Sequence, residues 1–280
     1  MIDTRTDSAL AIRMNTVRSK DGTAIAFDRS GSGPALILIG GAMSDHGSAA
    51  SVASLLAPRC TVITYDRRGR GDSGNTLPYS VDREIDDLAA LIAEAGGSAF
   101  VMGGSSGGIL ALDAAAHGLA ITKLAVYEPP IIVGKDGPLL PAGFADQLAE
   151  LASSGRRGDA VGAFMRQALG MPAEAVAGMR QAPFWAGLEA LAPTLAYDMI
   201  ISGPTQTGSP APLAKWAAIK TPALVMDGGA SPAWMRNGVR ALAGTLPNST
   251  HRTLEGQTHA ADPVMLAAAL EEFFAGVRVA

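Results

Sequence analysis

The stretch Val101-Met102-Gly103-Gly104-Ser105-Ser106-Gly107-Gly108 decides the fold of this chain. An apolar run, Ala99 to Met102, leads into it, and a helix-like segment, about Ser106 to His117, leads out. Strand, glycine turn, helix is the order this implies. Gly103-x-Ser105-x-Gly107 puts a hydroxyl at the sharpest point of the turn. A serine there sits in a strained backbone conformation, with the strand and the helix passing close on either side. Only very small residues then fit two positions before and two positions after. The hydroxyl projects clear of the sheet, beside a helix N-terminus that favours developing negative charge. The pattern also fits one residue later, as Gly104-x-Ser106-x-Gly108. The earlier register is preferred because it makes Ser106 the first helical residue, with its N–H free to face an oxyanion. A plain glycine-rich turn, or one that binds a phosphate, is the competing reading. A dinucleotide site wants G-x-G-x-x-G after the first strand, with an acidic residue about 20 positions on, and a P-loop wants Gly-Lys-Ser/Thr. Neither pattern is here.

Outward from this turn the chain alternates strands with helices. Ala35 to Ile39 and Cys60 to Tyr65 are continuous apolar runs, as expected of strands buried on both faces. A helix-like segment, roughly Gly47 to Leu56, separates them. Val81 to Ala95 repeats Ile85, Leu88, Leu91 and Ile92 at helical spacing and stops at Gly96-Gly97. Leu124 to Tyr127, Ala223 to Met226 and His251 to Leu254 are further strands, and Ala233 to Ala243 and Pro263 to Phe274 further helices. Ahead of all these, two β-like stretches, Asn15 to Arg18 and Thr23 to Arg29, flank an Asp21-Gly22 hairpin signal. Strand-then-helix repetition predicts a mostly parallel sheet with helices on both faces. From about Pro141 to Lys215 the sequence reads only as short helices. The architecture expected is an α/β core domain, residues 1–130 and 216–280, with a helical insertion, residues 131–215, over the carboxyl ends of the strands.

Composition narrows the function. The 280 residues are 48% hydrophobic and 17% charged, with a formal net charge of −4, so the chain is globular. Arg67, Arg68 and Arg70 form the longest basic cluster and sit in a Gly-rich turn. They are expected to fasten it, with Asp66 and Asp72, rather than to bind phosphate. No nucleic-acid partner is expected. No apolar run reaches the roughly 18 residues of a spanning helix, so no membrane partner is expected either. Met1 to Asn15 lacks the basic start and apolar stretch of a secretory signal, which points to the cytoplasm. One cysteine, Cys60, rules out an internal disulfide and reads as a small buried residue. No cluster has metal-ligand spacing, and no metal or cofactor is expected. The partner expected is a small-molecule substrate, and a homodimer is the assembly to test.

A nucleophilic serine needs a base. Of the four histidines, His259 in Glu255-Gly256-Gln257-Thr258-His259 follows the last strand and lies at the carboxyl edge of the sheet. His251 opens that strand at its far end, His117 ends a helix, and His46 follows the first Gly-Gly loop, where it could line the mouth of a site.

Leu38-Ile39-Gly40-Gly41, Tyr65-Asp66-Arg67-Arg68-Gly69-Arg70-Gly71-Asp72-Ser73-Gly74, the Ser105 turn and Gly256-x-x-His259 occur in one order. Together they resemble the α/β-hydrolase superfamily over nearly the whole chain except the insertion, which matches the family's cap only in place and helical content. The resemblance implies an eight-stranded sheet, Ser105 as nucleophile and His259 as base. It carries the two oxyanion N–H groups to Ser106 and Ala42, although Gly40-Gly41 replaces the family's His-Gly pair. It also exposes a departure. The family has Gly-x-x-Asp after the strand that here is Ala223 to Met226, and this chain has Gly228-Gly229-Ala230-Ser231. Glu128, after an earlier strand, is the favoured substitute. Asp227 is the alternative, and a Ser–His dyad without an acid is the third reading.

The insertion carries large apolar residues, among them Phe164, Met165, Trp185 and Met199, most of which must pack it. Met43, Trp185 and Trp234 are expected at the substrate. Few charges there argue for an apolar acyl substrate. Hydrolysis of a carboxylic ester or related acyl bond is the expected activity. C–C bond and lactone hydrolysis use nearly the same parts. A non-catalytic small-molecule receptor on a hydrolase scaffold is the reading from another class, and it draws on the lost His and the lost Asp.

Overall fold

The computed structural model describes residues 14–275. The reading of the segment before Met14 lies outside the described residues.

Among these, eight strands form one sheet in the order β1-β2-β4-β3-β5-β6-β7-β8. The strands are β1 (Asn15–Arg18), β2 (Ala24–Gly31), β3 (Ala35–Ile39), β4 (Thr61–Tyr65), β5 (Ala99–Gly104), β6 (Ile121–Tyr127), β7 (Ala223–Gly228) and β8 (Ser249–Leu254). β1 and β2 form the expected hairpin, and β2 also runs antiparallel to β4. Every other pairing is parallel. β4 lies on one side of β3 and β5 on the other, so the chain reverses its direction of travel at β3. That reversal opens a crevice at the carboxyl ends of β3 and β5, where α/β sheets bind ligands.

The helices are α1 (Ala50–Leu56), α2 (Val81–Glu94), α3 (Ser106–Ala116), α4 (Phe144–Ser153), α5 (Arg157–Gln167), α6 (Ala173–Met179), α7 (Trp185–Leu191), α8 (Leu195–Ser202), α9 (Ala233–Thr245) and α10 (Pro263–Ala275). Alternation along the strands sorts the core into two layers. Ile37, Ile39, Val101, Val126 and Val225 face α2, α3 and α9. Leu36, Leu38, Met102, Tyr127 and Met226 face α1 and α10. Each fully buried Leu or Ile in these layers contributes roughly 1.5–3 kcal/mol. Cys60 is buried in the second layer, as expected.

Between β6 and β7 the chain is helical, α4 to α8, with its own apolar cluster around Phe144, Leu148, Phe164, Leu195 and Met199. Ala42 and Met43, from the loop after β3, pack against that cluster. The loop after β3 and the helical segment are therefore in contact. Among the described residues no helix is long and apolar enough to cross a membrane.

Arg67, Arg68 and Arg70 are buried, as turn fasteners would be. Arg67 forks onto Glu84 at 2.7 and 2.7 Å, and Arg68 onto Asp87 at 2.8 and 2.6 Å, both acids on α2. Arg70 Nη2 donates to both carboxylate oxygens of Asp198 on α8, at 2.9 and 2.8 Å. With every guanidinium matched by carboxylates, the cluster is no phosphate site.

Candidate active site

β5 ends at Gly104, and α3 begins at Ser106. Ser105 between them has φ 52° and ψ −129°, a conformation costly for any residue with a Cβ. Its N–H donates to Tyr127 O at 2.9 Å, so the strained turn is pinned to β6. The flanking glycines are tightly packed. A Cβ at Gly103 would overlap the Gly107 carbonyl, and a Cβ at Gly107 would overlap the Ile39 and Gly40 carbonyls. A Cβ at Gly104 would meet nothing within 4 Å. The positive φ falls on Ser105 and not on Ser106, which is the first residue of α3. Ser106 is buried and its hydroxyl donates to Asp198 Oδ1 at 2.7 Å.

His259 stands on the loop after β8. The Tyr127 hydroxyl donates to Thr258 O at 2.5 Å and holds that loop against β6. His259 Nδ1 lies 2.9 Å from Glu128 Oε2. Glu128 is fully buried, and its Oε1 accepts from the Gly228 N–H at 2.7 Å. One residue past β6, Glu128 has φ 45°, which takes its side chain out of the pleat and toward the histidine loop. Gly228 leaves that loop room, since a Cβ there would overlap the Gln257 carbonyl.

Asp227 does not meet His259. The strand runs two residues further than its apolar run, and Asp227 pairs in register with Thr253. The pleat sends its side chain to the same face as Val225, toward α9. His251 Nε2 lies 3.4 Å from its carboxylate and Arg236 Nε 3.7 Å. Ser231, at the family's usual acid position, is buried with its hydroxyl unpartnered.

Ser105 and His259 line one cavity of about 260 Å³, together with Ala42, Met43, Phe164 and Leu169. Among the described residues no direct hydrogen bond joins the Ser105 hydroxyl to the His259 imidazole, whose Nδ1 is engaged by Glu128. Two residues expected at the substrate lie off this cavity. Trp185 is buried inside the insertion's own cluster, its indole N–H donating to Glu189 at 2.8 Å. Trp234, half-buried on α9, is not among the residues lining the cavity. Phe164 and Leu169 take that place. The other histidines are engaged elsewhere. His117 caps α3, its Nδ1 2.7 Å from Asp113 O. His46 Nδ1 lies 3.0 Å from Asp66 Oδ1, and His46 is not among the residues lining the cavity. Burial pushes the His46 pKa down, but the hydrogen bond and charge of Asp66, with Asp28 and Asp45, outweigh it and the pKa is raised.

A mostly parallel eight-stranded sheet flanked by helices, with a strained strand-to-helix turn at its switch point, is the architecture of the α/β hydrolases. The chain belongs to the alpha/beta hydrolase family, whose sequence model matches residues 36–275. An alpha/beta hydrolase from Sphaerobacter thermophilus DSM 20745 is 54% identical, with a TM-score of 0.87 over 93% of this chain and 100% of that one. The esterase RhEst1 from Rhodococcus sp. ECU1013 shares the fold at 20% identity and TM-score 0.69, over 95% of this chain and 99% of that one. The uncharacterized hydrolase YraK of Bacillus subtilis (strain 168) is 38% identical over 96 residues, 33% of this chain and 35% of that protein. The match thus spans about a third of that curated relative.

Proposed function

We propose that this protein is a serine hydrolase that cleaves a carboxylic ester, or a related acyl bond, of a small apolar substrate. The observation that carries the reading is the Ser105 turn and His259 on one cavity, with Glu128 Oε2 2.9 Å behind the imidazole. In this reading Nδ1–H donates to Glu128, which leaves Nε2 as the base facing the cavity. Ser105 Oγ attacks the carbonyl carbon while its proton passes to Nε2. The tetrahedral oxyanion is held by the N–H groups of Ser106 and Ala42, neither of which has an acceptor among the described residues. The imidazolium, stabilised by Glu128, returns the proton to the leaving alkoxide. Water then repeats the sequence on the acyl-enzyme.

The cavity's size and wall set the substrate class. Its about 260 Å³ lie just below the roughly 300–1,000 Å³ of ordinary ligand pockets. Met43, Phe164 and Leu169 make its wall apolar, and no Asp, Glu, Lys or Arg is among the residues that line it. The reading includes residues 131–215 as a cap over the core, a small molecule as partner and residence in the cytoplasm. The test is a p-nitrophenyl ester series from acetate to octanoate. Wild type should turn over the short members and Ser105→Ala none; a folded wild type inert on the whole series favours the receptor reading.

A further inference from the structure

The cap's Asp198 is fully buried and sits on the only charged position of the run Leu195-Ala196-Tyr197-Asp198-Met199-Ile200-Ile201. Its Oδ1 accepts from Ser106 Oγ at 2.7 Å, Arg67 Nη1 at 2.8 Å and Arg70 Nη2 at 2.9 Å, and its Oδ2 accepts from Arg70 Nη2 at 2.8 Å. Burial pushes the carboxyl pKa up, but the charges of Arg70 and Arg67 and the Ser106 and Arg67 hydrogen bonds outweigh it, and the group is held below its ordinary value.

Arg70 continues the chain of contacts. Its Nη1 donates to Gly41 O at 2.6 Å and to Ser44 O at 3.2 Å, and Ser44 Oγ adds a second bond to Gly41 O at 2.6 Å. In a trans peptide the C=O and the following N–H point in opposite directions. Fixing the Gly41 carbonyl on Arg70 and Ser44 therefore turns the Ala42 N–H the other way. The nucleophile is close to this backbone: a Cβ on Gly41 would stand 2.8 Å from the Ser105 Cβ. One carboxylate thus restrains both residues that supply the oxyanion donors, Ser106 through its hydroxyl and Ala42 through Arg70 and Gly41. The family's early His is replaced by Gly40 here, so the loop lacks that side chain as support, and the Arg70–Asp198 pair holds the Gly41 carbonyl.

We propose that Asp198 is a positioning residue that joins docking of the cap to assembly of the oxyanion hole, through Arg70 for Ala42 and through Ser106 directly. The inference rests on the serine-hydrolase reading above. Its consequence is that the hole is competent only while α8 is docked on the core. A loosened Ala42 N–H stabilises the tetrahedral oxyanion less, and loss of one such donor costs on the order of 10²–10³ in rate.

The test compares wild type with Asp198→Asn on a p-nitrophenyl ester and its thiono analogue. Sulfur is larger and accepts hydrogen bonds poorly, so an intact hole discriminates against it and a loosened hole does so less. Asp198→Asn is expected to lower kcat on the oxo-ester at least 10-fold, to change KM less than 3-fold and to shrink the oxo/thiono ratio at least 5-fold. Ser44→Ala and Ser106→Ala remove neutral tethers only, keep the buried charges balanced and serve if Asp198→Asn does not fold. Each is expected to lower kcat and the same ratio at least 3-fold. An active wild type with an unchanged ratio in the folded variants would overturn the proposal. A wild type that hydrolyses neither ester would instead overturn the serine-hydrolase reading beneath it.

Discussion

Glu128 and His259, 131 residues apart in the chain, meet at 2.9 Å between Oε2 and Nδ1. The contact depends on Glu128 leaving the pleat at φ 45°, and on Gly228 letting the histidine loop lie against β7. Glu128→Gln keeps the shape of the side chain and removes the charge that stabilises an imidazolium. Its kcat on a short ester is expected to fall by about 10²–10⁴. Asp227→Asn, whose carboxylate faces His251 and Arg236, is expected to stay within 3-fold of wild type. Steady-state kinetics of the two variants decide between the carboxylates, and the reverse ranking would assign the acid to Asp227.

The Ser105 backbone stores strain that the fold must hold. With φ 52°, a non-glycine residue there costs about 1–3 kcal/mol. Ser105→Gly is therefore expected to unfold at a higher temperature than Ser105→Ala, both being inactive. Equal melting temperatures would mean that the turn relaxes in solution.

Much of this turn was legible in the sequence because its constraint is steric and local. Gly103 and Gly107 are required by backbone contacts that any strand-to-helix turn of this sharpness makes. The choice between Glu128 and Asp227 was less legible, because it turns on where β7 stops. Two extra strand residues put Asp227 into the pleat and take its direction out of the loop's control. Asp198 was missed altogether. Its partners lie 128 and 131 residues away, on Arg70 and Arg67. The available signal was a lone acid inside an apolar helical run, together with arginines whose number exceeds what a turn needs. Glu84 and Asp87, two acids among the buried positions of α2, gave a similar and unread hint. Trp185, a large aromatic residue expected at the substrate, lies instead in the apolar cluster of the helical segment, where its size serves packing.

Asp198 gives a pH signature. Its carboxyl is held below the ordinary value in the folded chain, so its contribution is fully present above the unfolded pKa and is lost as pH falls through the folded one. Removing one partner of a buried ion pair costs roughly 3–5 kcal/mol. The melting-temperature gap between wild type and Asp198→Asn is expected to be constant from pH 8 to 6 and to shrink only below the carboxylate range. A gap that closes near neutral pH would contradict the folded-state pairing.

Leu169 lines the cavity and is 42% exposed, so truncating it costs the fold little. Leu169→Ala is expected to move the preferred ester toward longer acyl chains, read from kcat/KM across the p-nitrophenyl series, with a melting temperature close to wild type. Phe164, nearly fully buried in the cap cluster, is the poorer site for this change.

Peptide mass mapping after reaction with a fluorophosphonate addresses the nucleophile itself. The predicted result is one phosphonyl adduct on Ser105, absent in Ser105→Ala and formed far more slowly in His259→Ala. An adduct on Ser106, or none on folded wild-type protein, would contradict the account.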